Sequence, residues 1–373
     1  MIYFDNSATS YYKPQIVKNA VITAMNTLTA NPGRSGHVLS QKAGEMVFET
    51  REKVKRFFNA NNHQLIFTKN CTEALNLALF GLLKPGDHVI TSCYEHNSVL
   101  RPLEKLKSVG VEVDILTSDL LNFNVEIKSH IKSNTKLIVV TGMSNVTGES
   151  PNLCKIGKIC HQNHIIFMVD GAQSSGHINI DMQQMGIDVY AFAGHKGLCA
   201  ITGVGGLIVN ENLGMTPLLC GGTGSMSDSL VQPDDLPEGF EAGTLPTIPI
   251  ASLYAGVDFL INNFDNITQK ENDLSQYMYQ KLAKLEKIKL YSSACSKNIY
   301  SFNILGKDSG QVADILNEKY GICVRSGLHC APLIHKKLGS LQTGAVRASI
   351  DFSNSRHEID VFVKAIEEIS KDC

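Results

Sequence analysis

The sequence predicts an α/β protein, with a large domain on a mostly parallel mixed sheet followed by a smaller α+β domain. Three observations carry this. From residue 64, short β-rich runs alternate with helical stretches, which is the pattern of βαβ units. The runs KLIVV and IIFMV are continuously apolar, as expected of central strands covered on both faces. From about residue 250 the texture changes to long helical segments, then strand-like runs and a closing helix. On this reading residues 15–250 form the large domain, and residues 1–14 with 251–373 form the small one.

Taken in order, QLIFT (64–68) opens the sheet and leads into helix-like CTEALNLALFG. DHVITS (87–92), VEVDIL (111–116), KLIVVTG (136–142) and HIIFMVD (164–170) continue it, and IDVYAFA (187–193) and GGLIVN (205–210) complete it. ASLYAGVDFLINNF and ENDLSQYMYQKLAKL read as two helical segments. NIYSFNIL, GICVRSG and AVRASID read as strands, and HEIDVFVKAIEEI as the final helix. No internal repeat or low-complexity segment interrupts the pattern.

At 373 residues, 43% hydrophobic and 19% charged, the chain can bury a large core. A net charge of −2 with scattered basic residues argues against a nucleic-acid partner. No apolar run approaches the roughly 20 residues of a membrane span, so no membrane role is expected. The start, MIYFDNSATS, lacks the regions of a signal peptide, and a cytoplasmic protein is expected. Ten irregularly spaced cysteines in such a chain read as reduced thiols.

Parallel sheets bind ligands outside the carboxyl ends of their strands, and the chemically distinctive residues fall there. Lys196, in AFAGHKGLCAITGVGGL, sits on the link between two strands, and Asp170 ends the buried run HIIFMVD. Alone they read as a turn lysine and a capping aspartate. Together they suit pyridoxal 5'-phosphate (PLP), which needs an amine to hold it and a carboxylate to keep its pyridine nitrogen protonated. Cys71 and Thr72 open a helix whose N-terminus suits the PLP phosphate, although Thr72 alone reads as a cap. His96 is placed to stack on the ring and pass protons, and Asn145 and Gln173 to bond its ring oxygen.

The ordered set FDNSAT, TEALN, YEHN, SNVTG, DGAQ, GHK, FEAGTLP, RSGLHCAP and VRASIDFSNS, spanning residues 4 to 355, resembles the class V aminotransferase family, specifically the cysteine desulfurases and their selenocysteine lyase relatives. The resemblance implies the PLP-dependent transferase fold type I, a homodimer, and conversion of L-cysteine to L-alanine with release of sulfur. It implies that Lys196 is the Schiff-base lysine, Asp170 the pyridinium partner and His96 the stacking residue. Thr72 and His195 match phosphate ligands, and Thr244 in EAGT matches a threonine that reaches the phosphate of the other subunit. Arg347 matches the arginine that clamps the substrate carboxylate, with Asn145 and Ala8 also at the substrate. Cys330, in RSGLHCA, matches the thiol that takes sulfur as a persulfide in the second group of desulfurases, and Arg325 and His329 flank it. A sulfur-acceptor protein would follow.

The chain departs from the pattern at Ala193, where a serine is usual, and at Gly197-Leu198-Cys199, where Leu-Tyr-Gly is usual. It departs also at Gly33 and at Leu328, where second-group members often carry histidine. Selenocysteine lyase, cysteine sulfinate desulfinase or another enzyme of the family is the alternative activity. Cys154, Cys160, His161 and His164 fit no standard zinc spacing, and no G-x-G-x-x-G opens a helix at Gly221-Gly222-Thr223-Gly224. No metal site is expected.

Overall fold

In the computed structural model residues 1–371 are described, apart from Arg34 and Leu121, so Asp372 and Cys373 also lie outside the described residues. Seven strands form the central sheet. Their order is His63–Thr68, Gly205–Asn210, Val189–Ala193, Ile166–Asp170, Thr135–Thr141, His88–Ser92 and Glu112–Leu116. The four neighbouring pairs from Val189–Ala193 to Glu112–Leu116 are parallel, and both pairs made by Gly205–Asn210 are antiparallel. All five residues of Ile166–Asp170 and of Val189–Ala193 are buried, as their apolar runs require. The expected strands therefore appear, within a residue or two at their ends.

The expected pair of helical segments after residue 250 is a single helix, Thr247–Leu282. Its middle is rich in Asn and Asp, which usually favour helix ends. Here the Asn262 and Asn263 amides donate to the Asp258 and Phe259 carbonyls one turn back, so the polar stretch stays helical. The helix joins two cores. Ile250, Leu253, Val257, Leu260 and Ile267 pack under the large sheet, whereas Leu274, Met278 and Leu282 pack with Phe4, Tyr300, Phe302 and Phe362 in the second core.

That second core lies on an antiparallel sheet in the order Arg325–Gly327, Ala345–Ser349, Ile299–Ile304, Ile288–Leu290. Ile2–Tyr3 pairs in parallel with Ile322–Cys323, and Asp5 bridges to Ser349, so the first residues run beside Arg347. Helices Gln15–Thr27 and Val38–Phe57 pack on the long helix. None of the described helices is long and apolar enough to cross a membrane.

Candidate active site

Lys196 stands on the link from Val189–Ala193 to Gly205–Asn210, and backbone bonds shape that link tightly. Gly194 N–H donates to Val204 O at 3.0 Å, Ala200 N–H to Gly194 O at 2.9 Å and Cys199 N–H to Lys196 O at 2.9 Å. A Cβ on Gly197 would lie 2.1 Å from Ser175 O, so only glycine fits there. Cys199 takes φ +60°, the left-handed conformation that glycine, usual here in the family pattern, adopts without strain. The two departures flanking Leu198 are therefore linked to one loop shape. The Lys196 side chain is partly open to a cleft, yet protein surrounds it closely. Desolvation foremost, then the Arg347 and Arg325 charges, lowers its pKa against the opposing effect of Cys71 and Asp170.

The cleft is lined by Cys71, Thr72, His96, Asn145, Asp170, Gln173, His195 and Lys196, which is every expected cofactor-binding residue except Thr244. Ala193 lines it too. Asp170 arrives at the carboxyl end of Ile166–Asp170, where its Oδ1 accepts the Ala172 N–H at 2.9 Å. Helix Cys71–Leu82 opens onto the cleft with Asn70 as its cap, not Thr72, and the Asn70 Oδ1 accepts the Glu73 N–H at 2.9 Å. The first-turn N–H groups thus face the space where an anion would bind. The Cys71 thiol points instead toward Asp170.

His96 caps the helix Asn97–Lys107, and its Nδ1 accepts the Ser98 N–H at 3.0 Å. That bond puts the proton of the neutral ring on Nε2. Burial lowers its pKa, which keeps the ring neutral. His195 is pushed down to about 4 by desolvation and by the Lys196 and Lys13 charges, and its Nδ1 lies 3.1 Å from Thr9 Oγ1. The Gln173 amide donates to Ser7 O at 3.0 Å, beside Ala8, which is partly buried.

Arg347 is 1% exposed in strand Ala345–Ser349. It pairs with Asp5 at 3.0 Å and donates to Asn145 O at 3.1 Å, while its Nε has no partner among the described residues. Cys330 is exposed on the loop after Arg325–Gly327, at a second opening that shares Thr72, His96 and Ser98 with the Lys196 cleft. Two left-handed residues, His329 (φ 49°) and Cys330 (φ 56°), turn this loop. Asn145 holds it by donating to His329 O at 2.7 Å, and Asn97 N–H donates to Cys330 O at 2.7 Å. The His329 ring, expected to flank the thiol, turns inward to 3.3 Å from His335 Nε2 and is buried and neutral. It therefore brings no positive charge to the sulfur.

Thr244 is exposed and lies outside the cleft of its own chain. Its loop is anchored by Glu241, which takes both Arg51 nitrogens at 2.9 Å and the Phe67 N–H at 2.6 Å. Two further residues were missed by the sequence reading. Asp5 partners Arg347, and its signal was an acid inside FDNSAT. Glu95 is fully buried beside the cleft, with Ser92 and the Thr141 N–H on Oε1 and desolvation raising its pKa to about 8. Its signal was a carboxylate at a strand's carboxyl end.

The sequence and the fold have counterparts in known proteins. The sequence profile of the family Aminotransferase class-V matches residues 2–362. The chain belongs to the class V aminotransferase family. Within that family it is 34% identical to a probable cysteine desulfurase of Methanothermobacter thermautotrophicus, over 99% of this chain and 94% of the relative. It is 35% identical to a probable cysteine desulfurase of Pyrococcus abyssi, over 100% and 94%. Among solved structures, the apo cysteine desulfurase of Thermococcus onnurineus superposes with a TM-score of 0.91 at 34% identity, covering 100% of this chain and 95% of that one. The class V aminotransferase scaffold, an α/β fold with a mostly parallel mixed sheet, is thus common to all of them.

Proposed function

We propose that this chain is a PLP-dependent cysteine desulfurase that converts L-cysteine to L-alanine and takes the sulfur on Cys330 as a persulfide, as a homodimer in the cytoplasm. One observation carries the reading: Lys196 and Asp170 share a cleft, and an exposed Cys330 lines the adjoining opening that shares Thr72, His96 and Ser98 with it. The donor set fits PLP. A lysine of lowered pKa, a buried carboxylate, a neutral imidazole and a helix N-terminus converge there, and these match an aldehyde, a pyridine nitrogen, a ring face and a phosphate. When bound, PLP supplies an aldehyde for the lysine and substrate amines and a ring that accepts electrons.

The residues of the chain do the rest. Lys196 presents a free amine and can return a proton to substrate carbon. Asp170 would keep the ring nitrogen of bound PLP protonated. His96, with its proton on Nε2, is placed to exchange it with substrate atoms. Arg347 would exchange Asp5 for the substrate carboxylate, a planar match for its fork, with its unpartnered Nε available. The Cys330 thiolate then attacks the substrate sulfur. The new S–S bond forms as the C–S bond breaks, its electron pair stays on substrate carbon and is protonated, and alanine results. The persulfide is passed on to a sulfur-acceptor protein. The nine described cysteines are all free thiols, which suits a reducing compartment.

The test is Cys330→Ala against Lys196→Ala. Cys330→Ala should still bind PLP and L-cysteine, with an unchanged chromophore, yet release little sulfide or alanine. Lys196→Ala should form alanine with neither L-cysteine nor L-selenocysteine. Desulfurase activity at the wild-type rate in Cys330→Ala removes the persulfide role.

A further inference from the structure

Asp170 presents two oxygens in different surroundings. Its Oδ1 accepts the Ala172 N–H at 2.9 Å and lies 3.5 Å from the Cys71 sulfur, whereas no donor reaches Oδ2 among the described residues. Cys71 is 6% exposed in the first turn of its helix. Desolvation first, and then the Asp170 charge, raises its pKa well above the ordinary value, so the sulfur keeps its proton and is the donor of the pair. A carboxyl torsion is broad and roughly two-fold unless donors settle it. Two donors on one oxygen settle it here.

Resting on the reading that the cleft takes PLP, we propose that Cys71 is a positioning residue for Asp170: its S–H and the Ala172 N–H hold Oδ1, so that Oδ2 is the oxygen offered to the pyridine nitrogen. A thiol is a weak donor, so it orients the carboxylate without drawing off much of the negative charge that would face that nitrogen. The other titratable groups whose charge acts at Asp170 or Cys71 are Glu95 from the turn after strand His88–Ser92, His96 beside it, Tyr190 from strand Val189–Ala193 and Lys196 from its loop. Cys71 alone among these donates to Oδ1.

The experiment compares purified holoenzyme with Cys71→Ala, which lacks the donor, and Cys71→Ser, which keeps one. The readouts are the dissociation constant of PLP and the pH midpoint of the bound chromophore's visible absorption. Cys71→Ala should hold PLP ~3–10-fold more weakly, as for one modest hydrogen bond lost, with a shifted midpoint, and Cys71→Ser should restore both toward wild type. If Cys71→Ala does not fold, Cys71→Val against Cys71→Thr, equal in shape and differing in the hydroxyl, makes the same comparison. Donor-free and donor-bearing variants that behave alike, or a Cys71→Ala variant with wild-type affinity and midpoint, overturn the proposal. A wild-type protein that takes up no PLP overturns the cofactor reading as well. Normal PLP binding with indifferent variants overturns this proposal alone.

Discussion

His329 and His335 lie back to back behind the Cys330 loop, with His335 Nδ1 2.9 Å from Ser340 Oγ. Desolvation holds both neutral, pushing His335 down to about 4 and His329 well below its ordinary value. An unfolded histidine titrates near 6.5, so the unfolded chain binds more protons between these values. The stabilisation is therefore complete above a pH of about 6.5 and is lost as pH falls toward about 4. Urea midpoints taken across that range should fall with acid, and His335→Gln should remove roughly 2–3 kcal/mol of the pH dependence. An unaltered slope in the variant would show that other groups titrate. At this scale sequence could name His329 as a neighbour of Cys330 but could not aim its ring, because side-chain direction depends on two left-handed residues that no motif announces.

The long helix Thr247–Leu282 reaches the Lys196 loop through Gly256, where an added Cβ would lie 2.1 Å from Leu198 O. Gly256→Ala would gain about 1 kcal/mol of helix propensity but must push the loop away, and overpacking of this kind costs roughly 1–3 kcal/mol. The expected outcome is a lower melting temperature and weaker PLP retention, read by calorimetry and by absorbance after gel filtration. A stabilised variant with full PLP would show that the helix does not set the loop. The strands were legible because buried parallel strands are written as apolar runs. Helices Gln15–Thr27 and Val38–Phe57 were not, since Ile16, Ile22, Met25, Val38, Leu39 and Phe48 lie on their exposed faces and blur the apolar stripe.

Those apolar side chains and Thr244 are all exposed on the single chain. A two-fold dimer would cover such side chains and bring each Thr244 to the other subunit's phosphate site, where Ala193 offers no hydroxyl. Thr244→Ala should then weaken PLP binding by about 1–3 kcal/mol, the range for one charge-assisted hydrogen bond. Light scattering should give twice the chain mass. A monomer with full PLP and activity, or an unchanged affinity in the variant, would refute the shared site.

By itself the sequence determined the sheet, the family and the residues that gather around Lys196. Apolar runs dictate buried strands, and ligand residues at strand ends stay next to their strands wherever the strands go. Only the tertiary structure decided that Asp5 occupies Arg347, that Cys71 turns to Asp170 rather than to a phosphate, and that Cys330 lines the opening beside the cleft while His329 faces away. Those contacts join residues from 6 to 342 positions apart in the chain. Local propensity carries no term for such distances, because they follow from which surfaces the two cores press together.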